Sequence, residues 1–168
     1  MIYLKYFFLV LFCCSWVFPG FAQEGPVTKV ILVRHAEKAD DDPKDPSLSE
    51  AGRTRAVQLA KMLNNIGVDA LYATPYRRTT ETLAPLSSTR NIPISSYPPP
   101  GVEAIKKIVR ASRGKVMVIA GHSNTIPFIV NELIKEQRFP EMDENEYGKI
   151  WVLIFDGERL VDCTVYNY

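Results

Sequence analysis

Histidine is nearly absent from this 168-residue chain, which has only His35 and His122. Two imidazoles are too few for the usual structural or catalytic zinc arrangements unless cysteines or carboxylates complete the set. Cysteine is almost as scarce. Of the three, Cys13 and Cys14 lie in an N-terminal segment, and Cys163 stands alone in the remainder. One cysteine cannot close an intramolecular disulfide, so the folded part must rest on its core, with Cys163 expected as a buried small apolar residue. Excess charge is missing too. The 20 Lys and Arg residues against 19 Asp and Glu give no electrostatic footprint for nucleic acid or an anionic membrane surface.

Long apolar runs are absent beyond the first residues. Lys5 precedes the stretch Tyr6 to Phe18, followed by Pro19-Gly20-Phe21-Ala22. That run is shorter than the roughly 20 residues of a spanning helix. A basic start, an apolar stretch, a helix breaker and a small residue form the pattern of a cleaved signal peptide over residues 1–22, with cleavage near Ala22. The reading implies an exported protein, periplasmic or extracellular, with no membrane association after cleavage. It also removes Lys5 and leaves the balance at zero (19 against 19). Residues 23–168 are enough for one domain with one sizeable core.

What the chain does have is an alternation of strand and helix patterns. Residues 29–34, Lys-Val-Ile-Leu-Val-Arg, form an apolar run rich in β-branched residues that stops on Arg34 and His35. An acidic, proline-containing loop over residues 40–46 follows. Ser49 is then a plausible cap for a helix whose apolar face is Ala56, Leu59, Ala60 and Leu63, with Gly67 closing it. Arg53 on that helix is expected at its surface. A second strand near residues 70–73 leads into Thr74-Pro75-Tyr76-Arg77-Arg78 and a helix in which Pro85 is expected to introduce a kink. Ile92 to Ser95 reads as a short edge strand, and Pro98 to Gly101 as a stiff connector. Val102, Ile105, Ile108 and Val109 mark a helix ending near Arg113-Gly114. Residues 115–121 form another buried strand, stopping on His122. Ile126, Ile129, Val130 and Leu133 give one more helix, and residues 150–166 a hairpin turning at Asp156-Gly157. The sum is an α/β fold, with helices on both faces of a mostly parallel central sheet.

Both histidines therefore end apolar strands, and arginines stand at equivalent edges. Ligands bind at the carboxyl edge of open α/β sheets. Arg34, His35, one or both of Arg77 and Arg78, and His122 converge there. Metal binding is disfavoured because adjacent guanidiniums repel a divalent cation. General acid–base work on an uncharged substrate leaves the arginines unexplained. An oxyanion, most naturally phosphate, accounts for all of them. Guanidinium matches phosphate oxygens in a bidentate fork, and helix starts just after these turns add N–H donors. A charge pair about 4 Å apart is worth about 4 kcal/mol at an effective dielectric near 20. Positive neighbours hold an imidazole neutral, and neutral imidazole is a nucleophile.

These motifs resemble the histidine phosphatases, the phosphoglycerate mutase-like superfamily. Arg34-His35-Ala36-Glu37 is similar to the family's Arg-His-Gly or Arg-His-Ala signature. Leu48-Ser49-Glu50-Ala51-Gly52 resembles its Leu-Thr-x-x-Gly stretch. Thr74 to Thr82 resembles Ser-Pro-x-x-Arg-Ala-x-Gln-Thr, in a register that selects Arg78 over Arg77. Gly121-His122-Ser123 resembles the second-histidine motif. The resemblance runs from about Lys29 to Leu133 and implies a three-layer α/β/α fold. It further implies His35 as the nucleophile that forms a phosphohistidine, with Arg34, Arg78 and His122 binding the phosphoryl oxygens. No metal or organic cofactor is implied. The compact length is most like the small phosphohistidine-phosphatase branch, acting on a phosphorylated small molecule or a phosphoprotein.

The proton donor departs from the family pattern. One branch places an aspartate after the second histidine, where Ser123 stands here. Another uses a glutamate beyond the second-arginine helix, for which Glu103 is the counterpart by distance, and Glu81 is the alternative. A missing acid favours substrates with good leaving groups. It also keeps two other functions in view: a low-turnover phosphoryl-binding module, and a phosphomutase, which would need more chain to enclose its substrate.

Overall fold

The computed structural model describes residues 25–168; the expected signal peptide over residues 1–22 lies outside them. Six strands and four helices follow in the order β1 (Thr28–Arg34), α1 (Glu50–Met62), β2 (Ala70–Ala73), α2 (Arg77–Arg90), β3 (Ile94–Ser96), α3 (Val102–Ala111), β4 (Val116–Gly121), α4 (Thr125–Ile134), β5 (Lys149–Asp156) and β6 (Arg159–Asn167). The sheet runs β3-β2-β4-β1-β5-β6. Its first four strands are mutually parallel, and the β5–β6 hairpin joins antiparallel beside β1.

Alternation along β1 explains why its sequence reads as an unbroken apolar run. Side chains on a strand point to opposite faces in turn. Ile31 and Val33 pack with Leu59, Leu63, Leu83 and Leu86, beneath α1 and α2. Val30 and Leu32 pack with Ile105, Val109, Ile126 and Ile129, beneath α3 and α4. Both faces are covered, as a parallel centre requires. The expected three-layer α/β/α architecture is what the chain adopts.

Helix ends differ most from expectation. Ser49 caps α1 by accepting from the Gly52 N–H at 3.1 Å. The far end closes at Leu63 rather than Gly67. There the Leu63 N–H donates back to the Leu59 carbonyl, and the Arg90 guanidinium, in the last turn of α2, holds the following turn by donating to the carbonyls of Leu63, Asn64 and Ile66. Similarly α3 stops at Ala111, two residues short of Arg113. α2 runs on through Pro85 to Arg90. Cys163, on the edge strand β6, is half-buried rather than buried.

Candidate active site

Register brings the two histidines together. Arg34 is the β1 partner of Gly121 on β4, and the His35 N–H donates to the Gly121 carbonyl at 2.9 Å. Each strand then releases its histidine at the same sheet edge, with ring centroids 5.4 Å apart, edge to face. β2 pairs with the other side of β4. It delivers Thr74, and the start of α2 delivers Arg78. Arg34, His35, Arg78 and His122 line one cavity of about 430 Å³. All four residues expected at the site are there.

His35 is 5% exposed, and its Nδ1 lies 2.8 Å from the Ala36 carbonyl oxygen. A carbonyl only accepts, so Nδ1 carries the proton and Nε2 keeps its lone pair. Burial, which withholds water from an imidazolium, pushes the group down from 6.5 to about 3. The bond to Ala36 works against this shift, and the charges of His122, Arg34 and Arg78 add to it. Burial therefore outweighs the neighbouring charge that sequence reasoning put first. His122 is pushed down to about 4, by burial first and then by Arg78 and Arg34.

The tautomer of His122 follows from its neighbours. Its Nε2 lies 2.9 Å from Thr74 Oγ1, whose own proton goes to Thr79 Oγ1 at 3.1 Å. Thr74 thus accepts from Nε2–H. Arg78 Nη2, which can only donate, faces Nδ1 at 3.4 Å. The Arg78 guanidinium also lies 4.6 Å over the Tyr76 ring, close enough for a cation–π contact. Arg77 points elsewhere, pairing with Asp41 at 3.5 Å and Glu81 at 3.6 Å.

Arg34 is engaged more heavily than expected. Nη1 donates to the carbonyls of Asp143 and Glu146 at 2.7 and 2.8 Å, and Nη2 to that of Glu144 at 2.9 Å. Tyr147 stacks 4.2 Å from it. Arg34 Nε is buried and without a hydrogen-bond partner, whereas Arg78 Nη1 faces the Asp45 carboxylate at 3.7 Å. Buried donors left unpaired cost roughly 1–3 kcal/mol each. Arg34 and Arg78 both line the cavity, and their positive charge suits it to an oxyanion.

The loop behind His35 is pinned from three sides. The Ala36 N–H donates to Thr82 Oγ1 at 2.9 Å, and the Ser49 N–H donates to the Glu37 carbonyl at 2.9 Å. The Arg55 guanidinium grips the Glu37 carboxylate at 2.7–2.9 Å. Burial works against that carboxylate, and Arg55 overrides it, holding the group below its ordinary value. Gly52 completes the contact: a Cβ there would stand 2.2 Å from the Glu37 carbonyl oxygen.

Neither expected acid reaches the cavity. Glu103 is exposed on α3 and pairs with Lys106 at 3.4 Å. Glu81 accepts from the Leu48 N–H at 2.7 Å and so braces the loop rather than the site. Arg53, also on its helix surface, donates to the Leu48 carbonyl at 2.6 Å. The carboxylates on the cavity wall are Glu141 and Glu144. Both belong to residues 135–149, a segment without periodicity. The Met142 N–H ties it to the Ser123 carbonyl at 3.1 Å. Glu144 lies 3.5 Å from Lys38 and 3.6 Å from Arg34.

Residues 30–98 match the profile of the histidine phosphatase superfamily (branch 1). The 8-oxo-(d)GTP phosphatase of Mycolicibacterium smegmatis is 30% identical over 149 residues, 78% of this chain and 46% of that protein. The chain spans less than half the length of the curated relatives it matches. Among solved structures, the Entamoeba histolytica phosphoserine phosphatase in complex with 3-phosphoglyceric acid superposes with a TM-score of 0.68 at 15% identity. It covers 84% of this chain and 97% of that one. The protein histidine phosphatase SixA complexed with tungstate gives a TM-score of 0.64 at 20% identity, over 82% and 94% of the two chains. At these identities the likeness is one of fold.

Proposed function

We propose that the protein is a metal-independent phosphatase that hydrolyses a phosphate monoester, or the phosphoryl group of a phosphoprotein, through a phosphohistidine on His35. The observation that carries the reading is the His35 tautomer. Nδ1–H is held by the Ala36 carbonyl and Nε2 is left bare on a cavity wall shared with Arg34, Arg78 and His122. Nε2 attacks phosphorus, the bond to the leaving oxygen breaks, and that oxygen departs with a proton. Water then attacks the phosphohistidine, releasing orthophosphate and restoring the imidazole. The arginines supply positive charge to the transferring phosphoryl group throughout. Glu144 is engaged with Arg34 and Lys38, so Glu141 is the carboxyl free to serve the leaving oxygen. The relatives point the same way, since those named above are phosphatases. Export rests on the leader pattern of residues 1–22 and is tested by the mass of the protein recovered outside the cytoplasm.

The test is hydrolysis of p-nitrophenyl phosphate by residues 23–168 in the presence of a chelator. Wild type is expected to be active, and His35→Ala to lose at least about 100-fold. Acid quenching with a labelled phosphate ester should trap a phosphohistidine in wild type alone. Equal rates in the two proteins defeat the nucleophile assignment. Trapping without turnover favours the phosphoryl-binding alternative.

A further inference from the structure

Asn124 and Glu141, on the wall of the phosphoryl cavity, also line a second, adjoining hollow of about 350 Å³ whose surface is largely apolar: Pro127, Phe128, Phe139 and Pro140. Phe128 is 45% exposed, although it lies on the first turns of α4, four residues after Asn124. That spacing puts the two side chains on one helix face, about 6 Å apart along the axis. With Pro127, Phe139 and Pro140, Phe128 forms one contiguous apolar surface beside a charged site, the kind of patch that marks a ligand groove.

The far wall of the hollow is built rigidly. Asn131 is buried on α4, and its amide is fully used by the chain that follows the helix. Oδ1 accepts from the N–H groups of Arg138 and Phe139 at 3.1 and 2.9 Å, and Nδ2 donates to the Phe139 carbonyl at 2.8 Å. Phe139 is further fixed edge to face against Trp151, 5.9 Å between centroids. An apolar shelf held by a buried amide and an aromatic contact is preformed, which is how small-molecule subsites are made.

We infer that this shelf is a leaving-group subsite, so that the preferred substrate is a phosphate monoester whose alcohol carries a bulky apolar portion. The inference rests on the phosphatase reading. With the phosphoryl group against His35, the ester oxygen is directed past Glu141 and the alcohol onto Phe128. The rest of the cavity wall mixes Lys38 and Lys44 with Pro43, Pro46 and Pro99, whereas the shelf adds two phenyl rings, so the shelf is the side that reads an apolar alcohol.

Phenyl phosphate and para-butylphenyl phosphate differ in apolar length and hardly in leaving-group acidity. A half-covered methylene is worth about twofold in binding. Wild type is therefore expected to show a KM about tenfold lower for the butyl ester at similar kcat. Phe128→Ser is expected to erase that preference by raising KM for the butyl ester more than for phenyl phosphate; a surface position on α4 permits the change without loss of fold. Equal KM values in wild type, or a preference that survives in Phe128→Ser, overturn the inference. Calorimetric binding of both esters to His35→Ala reads the same ratio without turnover. Tighter binding of the butyl ester with no hydrolysis by wild type keeps the shelf and removes the phosphatase reading. Equal binding removes the shelf.

Discussion

Thr74 Oγ1 accepts a hydrogen bond from His122 Nε2 at 2.9 Å, and through it the orientation of the second histidine is set by β2 rather than by its own strand. The Thr79 hydroxyl supports this arrangement, donating to the carbonyls of Thr74 and Tyr76, each at 2.8 Å. Thr74→Val keeps the shape and removes the acceptor. A drop in kcat of about 10- to 100-fold is expected, with KM changed far less. Thr74→Ser should restore most of it. If valine and serine behave alike in steady-state kinetics, His122 is oriented by something else.

Gly52 presents a conflict between local and tertiary preference. Within a helix, Gly→Ala is favourable by about 1 kcal/mol. Here the new methyl would meet the Glu37 carbonyl oxygen at 2.2 Å, a backbone atom two residues from His35. Gly52→Ala should therefore destabilise the fold by about 2 kcal/mol or more and reduce kcat. Urea unfolding decides the sign, and a stabilised Gly52→Ala would refute the close contact.

The neutral histidines make stability depend on pH. His35 stays unprotonated in the fold down to about 3, whereas the unfolded chain takes up that proton below about 6.5. The unfolded state binds more protons in that window, so stability is full above about 6.5 and is lost as pH falls toward 3. Wild type should lose about 2 kcal/mol more than His35→Ala between pH 7.5 and 5. His122, held near 4, adds about the same amount with the same sign over this range. Parallel urea midpoints for wild type and His35→Ala at the two pH values would contradict the buried neutral state.

Glu141→Gln tests the leaving-oxygen assignment. An alkyl phosphate needs its oxygen protonated as the bond breaks; a nitrophenolate does not. The variant should slow alkyl phosphate hydrolysis by about 100-fold, within the usual range for a general acid, and p-nitrophenyl phosphate by only a fewfold. A uniform decrease across leaving groups would assign Glu141 a binding role instead.

Much of this site was legible because its side chains sit where strong patterns stop. The runs before His35 and His122 announce buried parallel strands, and register does the rest. Motif spacing selected Arg78 over Arg77, and Arg78 is the one that lines the cavity with both histidines. The turn after α1 was not legible, since Arg90 holds its carbonyls from 24 to 27 residues away. Residues 135–149 were passed over for a related reason. They hold Arg34 through backbone carbonyls and meet Ser123 through a backbone N–H, and such groups are the same in every sequence. Glu141 and Glu144 gained meaning only once that backbone was placed.

Arg34 also carries a constraint on the order of assembly. Its three carbonyl acceptors lie 109, 110 and 112 residues further along the chain. Closing so long a loop is entropically costly and slow compared with local pairing. During synthesis both histidines and both arginines are present long before these carbonyls emerge. A nascent chain halted just short of Asp143 could pair β1 with β4 and still leave the Arg34 guanidinium without its seat. The first residue of the signature is thus among the last to be set.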